Sequence, residues 1–157
     1  MKGVDDFGLR ISDYALQQNM IDVGYKKLEV YQAAHGLAVE VHRMSLNLPK
    51  YEMYEQGSRI RRSSKSVPAQ IVEGFGLRKH KNELLLYLNR TYASAEETIE
   101  HLDLLHETRS LTDEVLYDKL RGEYEQLCGK LFRFIQSVAE GHERPRYLKD
   151  DGEPYAA

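Results

Sequence analysis

The chain has no tryptophan, one cysteine, four prolines and no long apolar run. Each scarcity removes a class of protein. The single thiol, Cys128, excludes an internal disulfide framework and a cysteine-built zinc site. No apolar stretch approaches the length a membrane helix needs. The N-terminus lacks the basic-then-apolar pattern of a secretory signal, so a cytoplasmic protein is expected. No Gly-x-x-x-x-Gly-Lys phosphate loop is present, and no strand precedes Gly74-Phe75-Gly76 to make it a nucleotide site. His35 and His42 are seven apart, His101 and His106 are five apart, and His80 and His142 stand alone. Without a His-x-x-x-His or Glu-x-x-His pair the di-metal carboxylate pattern is missing, so no metal site and no cofactor are expected. No nucleophile–base pair is readable. No catalytic residue is assigned, and the expectation is a protein that is not an enzyme.

What is present is helical periodicity. Val30, Ala34, Leu37, Val41, Met44 and Leu48 recur at spacings of four and three, and Pro49 ends the run. Met53, Ile60, Val67, Ile71 and Phe75 share a second face, closed by Gly74 and Gly76. Leu85, Leu88, Tyr92, Ala95, Ile99 and Leu102 make a third, and Leu120, Tyr124, Leu127, Leu131, Phe134 and Val138 a fourth. No stretch alternates with period two. The connections around Pro49, Gly76–Lys81 and Arg109–Thr112 are short, which makes neighbouring helices antiparallel, and Thr112 is the expected cap of the last helix. The predicted fold is all-α: an up-down-up-down antiparallel four-helix bundle over residues 25–140. At 157 residues it is one domain. Residues 1–24 read as an N-terminal extension with a short helix capped by Ser12, and residues 141–157 as a flexible tail. Cys128 falls on the apolar stripe of the fourth helix and is expected in the core. His35 is expected as a core histidine bonded to a neighbouring helix. Val39, Leu84, Leu86, Leu104, Leu105 and Ile135 lie beyond one seam, a reason to expect a ring-like homo-oligomer.

Residues 61–76 are the most distinctive stretch, Arg61-Arg62-Ser63-Ser64-Lys65-Ser66-Val67-Pro68 running to Glu73-Gly74-Phe75-Gly76. Arg62 and Glu73 are eleven residues apart and share a face around Pro68, which removes an N–H and frees a carbonyl one turn back. Two readings stand. One is a partly buried polar network of Arg62, Glu73 and Glu97 tying the second helix to the third. The other is a solvated face.

Charge is unevenly spread although the formal total is only −3. Residues 58–82 hold seven Lys/Arg against one acid, and residues 95–125 hold ten acids against three bases. The basic set is Arg78, Lys79 and Lys81 in a loop, with Arg59, Arg61 and Lys65 as a second rank. Such a patch suits an anionic partner, with RNA the obvious candidate. The alternatives are a solvated loop, or two faces that pair between subunits in a structural protein-interaction module.

The stretch Tyr25–His35, the segment Ile60–Gly76, and Glu83, Tyr87-Leu88 and Ser94 with Glu97 resemble the four-helix-bundle family of the 23S rRNA intervening-sequence protein. The likeness spans about residues 25–140. Ser63-Ser64 stands where two alanines are usual, Gln70 for asparagine, and Ala93 for a glycine. The resemblance implies a homo-pentamer. It also implies a relation to the accessory variability determinant of diversity-generating retroelements, a basic pentamer that binds nucleic acid and a reverse transcriptase. A role as accessory protein of a reverse transcriptase therefore stands as a further alternative. The family offers no catalytic residues to carry over.

Overall fold

The computed structural model describes residues 24–141. A 3₁₀ turn over Tyr25–Lys27 leads into helix α1, Glu29–Ser45. A second 3₁₀ turn, Lys50–Met53, precedes α2, Gln56–Gly76. Helix α3, Lys81–Glu107, and helix α4, Glu114–Ala139, complete the set. Cross-helix contacts fix the directions. Ser45 at the end of α1 meets Arg61 near the start of α2, and Gln56 at the start of α2 meets His101 near the end of α3. Asp103 of α3 meets Tyr117 and Arg121 of α4, and Glu40 of α1 meets Lys119 of α4. Every neighbouring pair is antiparallel, so the described residues form the expected up-down-up-down bundle, with no strand among them.

The periodic residues of α1, α2 and α4 form the core: Ala34, Val41, Ile60, Val67, Leu120, Tyr124 and Leu131 are fully buried. Cys128 is buried among them, and burial beside Glu96 and Glu125 pushes its thiol up to about 11. Helix α3 is turned from its expected orientation. Leu84, Leu88, Thr91, Ala95, Thr98 and Leu102 face inward, while Leu85, Tyr92 and Ile99 are only half-buried. The cause is polar: Ser94, Thr98 and His101 are drawn toward α2 by hydrogen bonds, and this rotates Leu84 and Leu105 into the core rather than onto the surface. Val39, Leu86 and Leu104 do remain exposed, and Ile135 is half-buried.

The helix ends differ in detail from the sequence pattern. Met53 belongs to the 3₁₀ turn, not to α2. The cap of α4 is Asp113, whose carboxylate accepts from Leu116 N at 3.0 Å, one residue beyond Thr112. Pro68 lies inside a continuous α2, while Ser63, Ser64 and Ser66 donate to the carbonyls of Ile60, Arg61 and Arg62. The expected extension and its Ser12 cap lie outside the described residues, as does all of the expected tail beyond Gly141.

Candidate nucleic-acid interface

Of the six expected contact cations, the fold uses Arg61, Arg78 and Lys81 for its own contacts and leaves Arg59 and Lys65 exposed on α2. Arg61 turns inward. Its guanidinium donates to Ser45 Oγ at 3.2 Å and to the carbonyl of Met53 at 2.5 Å, tying the α1–α2 connection to α2. Arg78 is half-buried, folds over the Phe75 ring at 4.1 Å and donates to the Phe75 carbonyl at 2.9 Å. It satisfies an end carbonyl of α2, where a cation also complements the helix dipole. Lys81 reaches across the bundle end to the carbonyl of Ala139 at 3.0 Å, doing the same for α4. Lys79 is exposed in the same connection.

Arg59 and Lys65 are exposed on α2. So is Arg62, and no partner for its side chain lies among the described residues. At spacings of three these residues span about a third of the helix circumference. Arg90 on α3 is exposed and packs over Tyr87 at 5.2 Å.

The expected network of Arg62, Glu73 and Glu97 does not assemble among the described residues of the chain. All three side chains are exposed, and Glu97 instead accepts from His101 Nε2 at 3.3 Å. The polar contacts between α2 and α3, one buried and two part-buried, are made by hydroxyl, amide and imidazole side chains. Thr98 Oγ1 donates to Ser63 Oγ at 2.9 Å, Ser94 Oγ donates to Gln70 Oε1 at 3.0 Å, and Gln56 Nε2 pairs with His101 Nδ1 at 2.6 Å. A long arginine eleven residues from a glutamate suits a face exposed to water, whereas hydroxyls fit a tight seam. The recurrence of Thr91, Ser94, Ala95 and Thr98 at spacings of three and one or three and four was the available signal for this seam.

A second buried polar cluster appears nowhere in the periodicity. Glu52 is buried, accepts from Ser110 Oγ at 2.7 Å and accepts from Gln56 N at 3.1 Å, so it satisfies an orphan amide at the start of α2. It thereby joins the two connections at one end of the bundle. His35 is exposed and contacts Tyr31 of its own helix, so it is not a core histidine.

Part of the acidic region is paired within the chain. Asp103 accepts from Tyr117 and Arg121, Glu125 pairs with Arg121, and Glu114 pairs with His106, whose ring stacks on Tyr117 at 3.9 Å. Desolvation, and then the bond to Asp103, raises the Tyr117 hydroxyl's pKa above its ordinary value. Among the described residues no group of three or more His, Cys, Asp or Glu is placed to hold a metal ion. No helix among them is long and apolar enough to cross a membrane.

A short-turned all-α bundle with an outward cationic stripe defines a small helical protein. Its family follows from the sequence model that matches residues 26–133, that of the 23S rRNA-intervening sequence protein: the chain belongs to this family. The family is not known for an enzymatic activity. No curated protein matches the chain significantly.

Proposed function

We propose that this protein is a non-enzymatic homo-oligomer, a pentamer by family resemblance, that binds structured RNA or a nucleoprotein through α2 and the α2–α3 connection. The observation that carries the reading is the stripe Arg59, Arg62 and Lys65, exposed on one face of α2, with Lys79 beyond it. Arg62 takes its place in the contact set. Arg61, Arg78 and Lys81 hold the ends of the bundle together and shape the surface rather than lead the contact. Phosphate contacts of this kind give affinity that depends on salt and little on sequence. Repetition of the stripe around an oligomer would add weak contacts through multivalency.

Anisotropy titrations against an RNA hairpin and a single-stranded RNA, across a salt series, test it. Saturable binding is expected. The triple substitution Arg59→Gln, Arg62→Gln and Lys65→Gln should flatten the log–log salt slope by about 2–3, at roughly 0.7–0.9 per phosphate contact. Absence of saturable binding at low salt would replace this reading with the structural protein-interaction module. Light scattering on the same samples checks the assembly; a monomer at micromolar concentration would remove that part of the proposal.

A further inference from the structure

Between α1 and α2 runs an open groove of about 500 Å³, within the size of sites that take small organic groups. Its floor is apolar, with Val39 from α1 facing Pro68, Ala69 and Val72 from α2. One end is aromatic. Tyr31 and His35 stand one turn apart there, their ring centroids separated by 5.7 Å and their planes tilted by 38°. Tyr31 is held by Tyr25, which packs edge-on against it at 4.9 Å and against Phe75 at 6.3 Å. The other end is cationic, with Arg43 and Lys65 exposed on facing helices. Neither has a carboxylate partner among the described residues, and no acid is among the described residues that line the groove. From His35 to Arg43 the groove runs about 12 Å at 1.5 Å per helical residue.

The groove opens directly off the cationic stripe. Lys65 belongs to both, one turn beyond Arg62 on α2. Along the chain the basic stretch of α2 has few rings of its own, and the antiparallel packing of α1 brings Tyr31 and His35 to it. An RNA backbone laid along the stripe passes the mouth of the groove. Phosphate contacts hold such a strand, and aromatic faces beside an apolar floor suit its bases. Every base has a π-face, so stacking works without a particular sequence. Only an unpaired base can leave its own stack to reach such a site. A wholly apolar occupant would use the floor and leave Arg43 and Lys65 with no counter-charge.

We infer that the α1–α2 groove takes an unpaired nucleobase of the bound RNA, stacked against Tyr31 and His35 over the floor of Val39 and Pro68, with the adjoining phosphate held by Arg43 and Lys65. The inference rests on the RNA reading and narrows it, from a surface that binds any phosphate backbone to one that also needs an exposed base.

Two end-labelled single strands of about ten nucleotides test it on the full chain: a mixed-sequence RNA and the same backbone without bases. At one fixed salt concentration the RNA should bind at least about fivefold tighter than the abasic strand, the effect of one stacked base. His35→Ala removes part of the stack and Ala69→Leu fills the floor. Both positions are exposed and neither is a stripe cation. Each variant should bring the RNA down toward the abasic strand and leave the abasic strand's affinity and salt slope as they were. Equal affinity for the two strands, with steep salt dependence, overturns the base site and leaves the RNA reading standing. No saturable binding of either strand at low salt removes both. An independent readout is the His35 imidazole resonance, which a stacked base should move upfield by its ring current. The RNA should shift it and the abasic strand should not; a resonance unmoved by bound RNA overturns the inference. Light scattering on Ala69→Leu closes the remaining route: an assembly that falls apart in this variant overturns the inference in favour of a groove that serves a second copy.

Discussion

Between α2 and α3 the polar contacts are uncharged and drawn into the seam: Ser63 with Thr98, buried, and Gln70 with Ser94, part-buried. Between α1 and α4 they are long charged side chains above it: Glu40 with Lys119 at 2.6 Å, and Glu29 with Lys130. The first seam is tight, and a Cβ on Gly74 would come within 3.0 Å of Tyr87 Cβ. The second leaves a cleft in which a Cβ on Gly36 would meet nothing within 4 Å. One seam therefore sets register through buried donors and acceptors that fit only in one alignment, and the other is closed by ion pairs that many alignments could satisfy. Lys130 lowers the pKa of Glu29 and Glu40 raises that of Lys119, yet both pairs stay in water, where such attraction is heavily screened.

The contrast can be broken most sharply with one substitution made at both glycines. Gly74→Ala should cost about 1–3 kcal/mol by overpacking against α3. Gly36→Ala should add roughly 0.5–1 kcal/mol, because it removes backbone freedom from the unfolded chain at no steric cost. Urea melts read both. Equal signs would mean that the two seams are equally packed, and a loss at Gly36 would mean that another surface covers this face.

A smaller effect is expected from Thr98→Val, which keeps shape and removes the hydroxyl whose one proton is shared between Ser63 Oγ and the carbonyl of Ser94. It should cost about 1–2 kcal/mol. A melt matching the unchanged protein would show that the hydroxyl ladder adds no stability to the tighter seam.

The smallest effect belongs to the looser seam. Lys119→Gln should leave the melting temperature where it was, at low and at moderate salt alike. A clear, salt-dependent fall would show that the α1–α4 ion pairs carry the closure of the bundle.

Much of the architecture could be read along the chain. Helical repeats are local, so Val30 to Leu48 and Leu120 to Val138 announce their inner faces without reference to any partner. The rotation of α3 could not be read that way, because Leu84 and Leu85 are equally apolar. Only the hydrogen bonds of Thr98 and His101 to α2 choose between them. The candidate interface was legible as a basic region and not as a set of contacts. Charge counting finds Arg59, Arg78 and Lys81 alike, whereas two of these three are separated by geometry: Arg78 and Lys81 cap helix ends and Arg59 faces water.

The neighbours Arg61 and Arg62 mark the boundary between the two kinds of knowledge. Composition and spacing determined that this chain forms four antiparallel amphipathic helices with a basic second helix, because side-chain period and turn length are properties of the chain itself. The tertiary structure alone decided that Arg61 binds inward while Arg62 is left in water. A step of one residue turns a helix by 100°, and what waits at each bearing is set by another part of the fold.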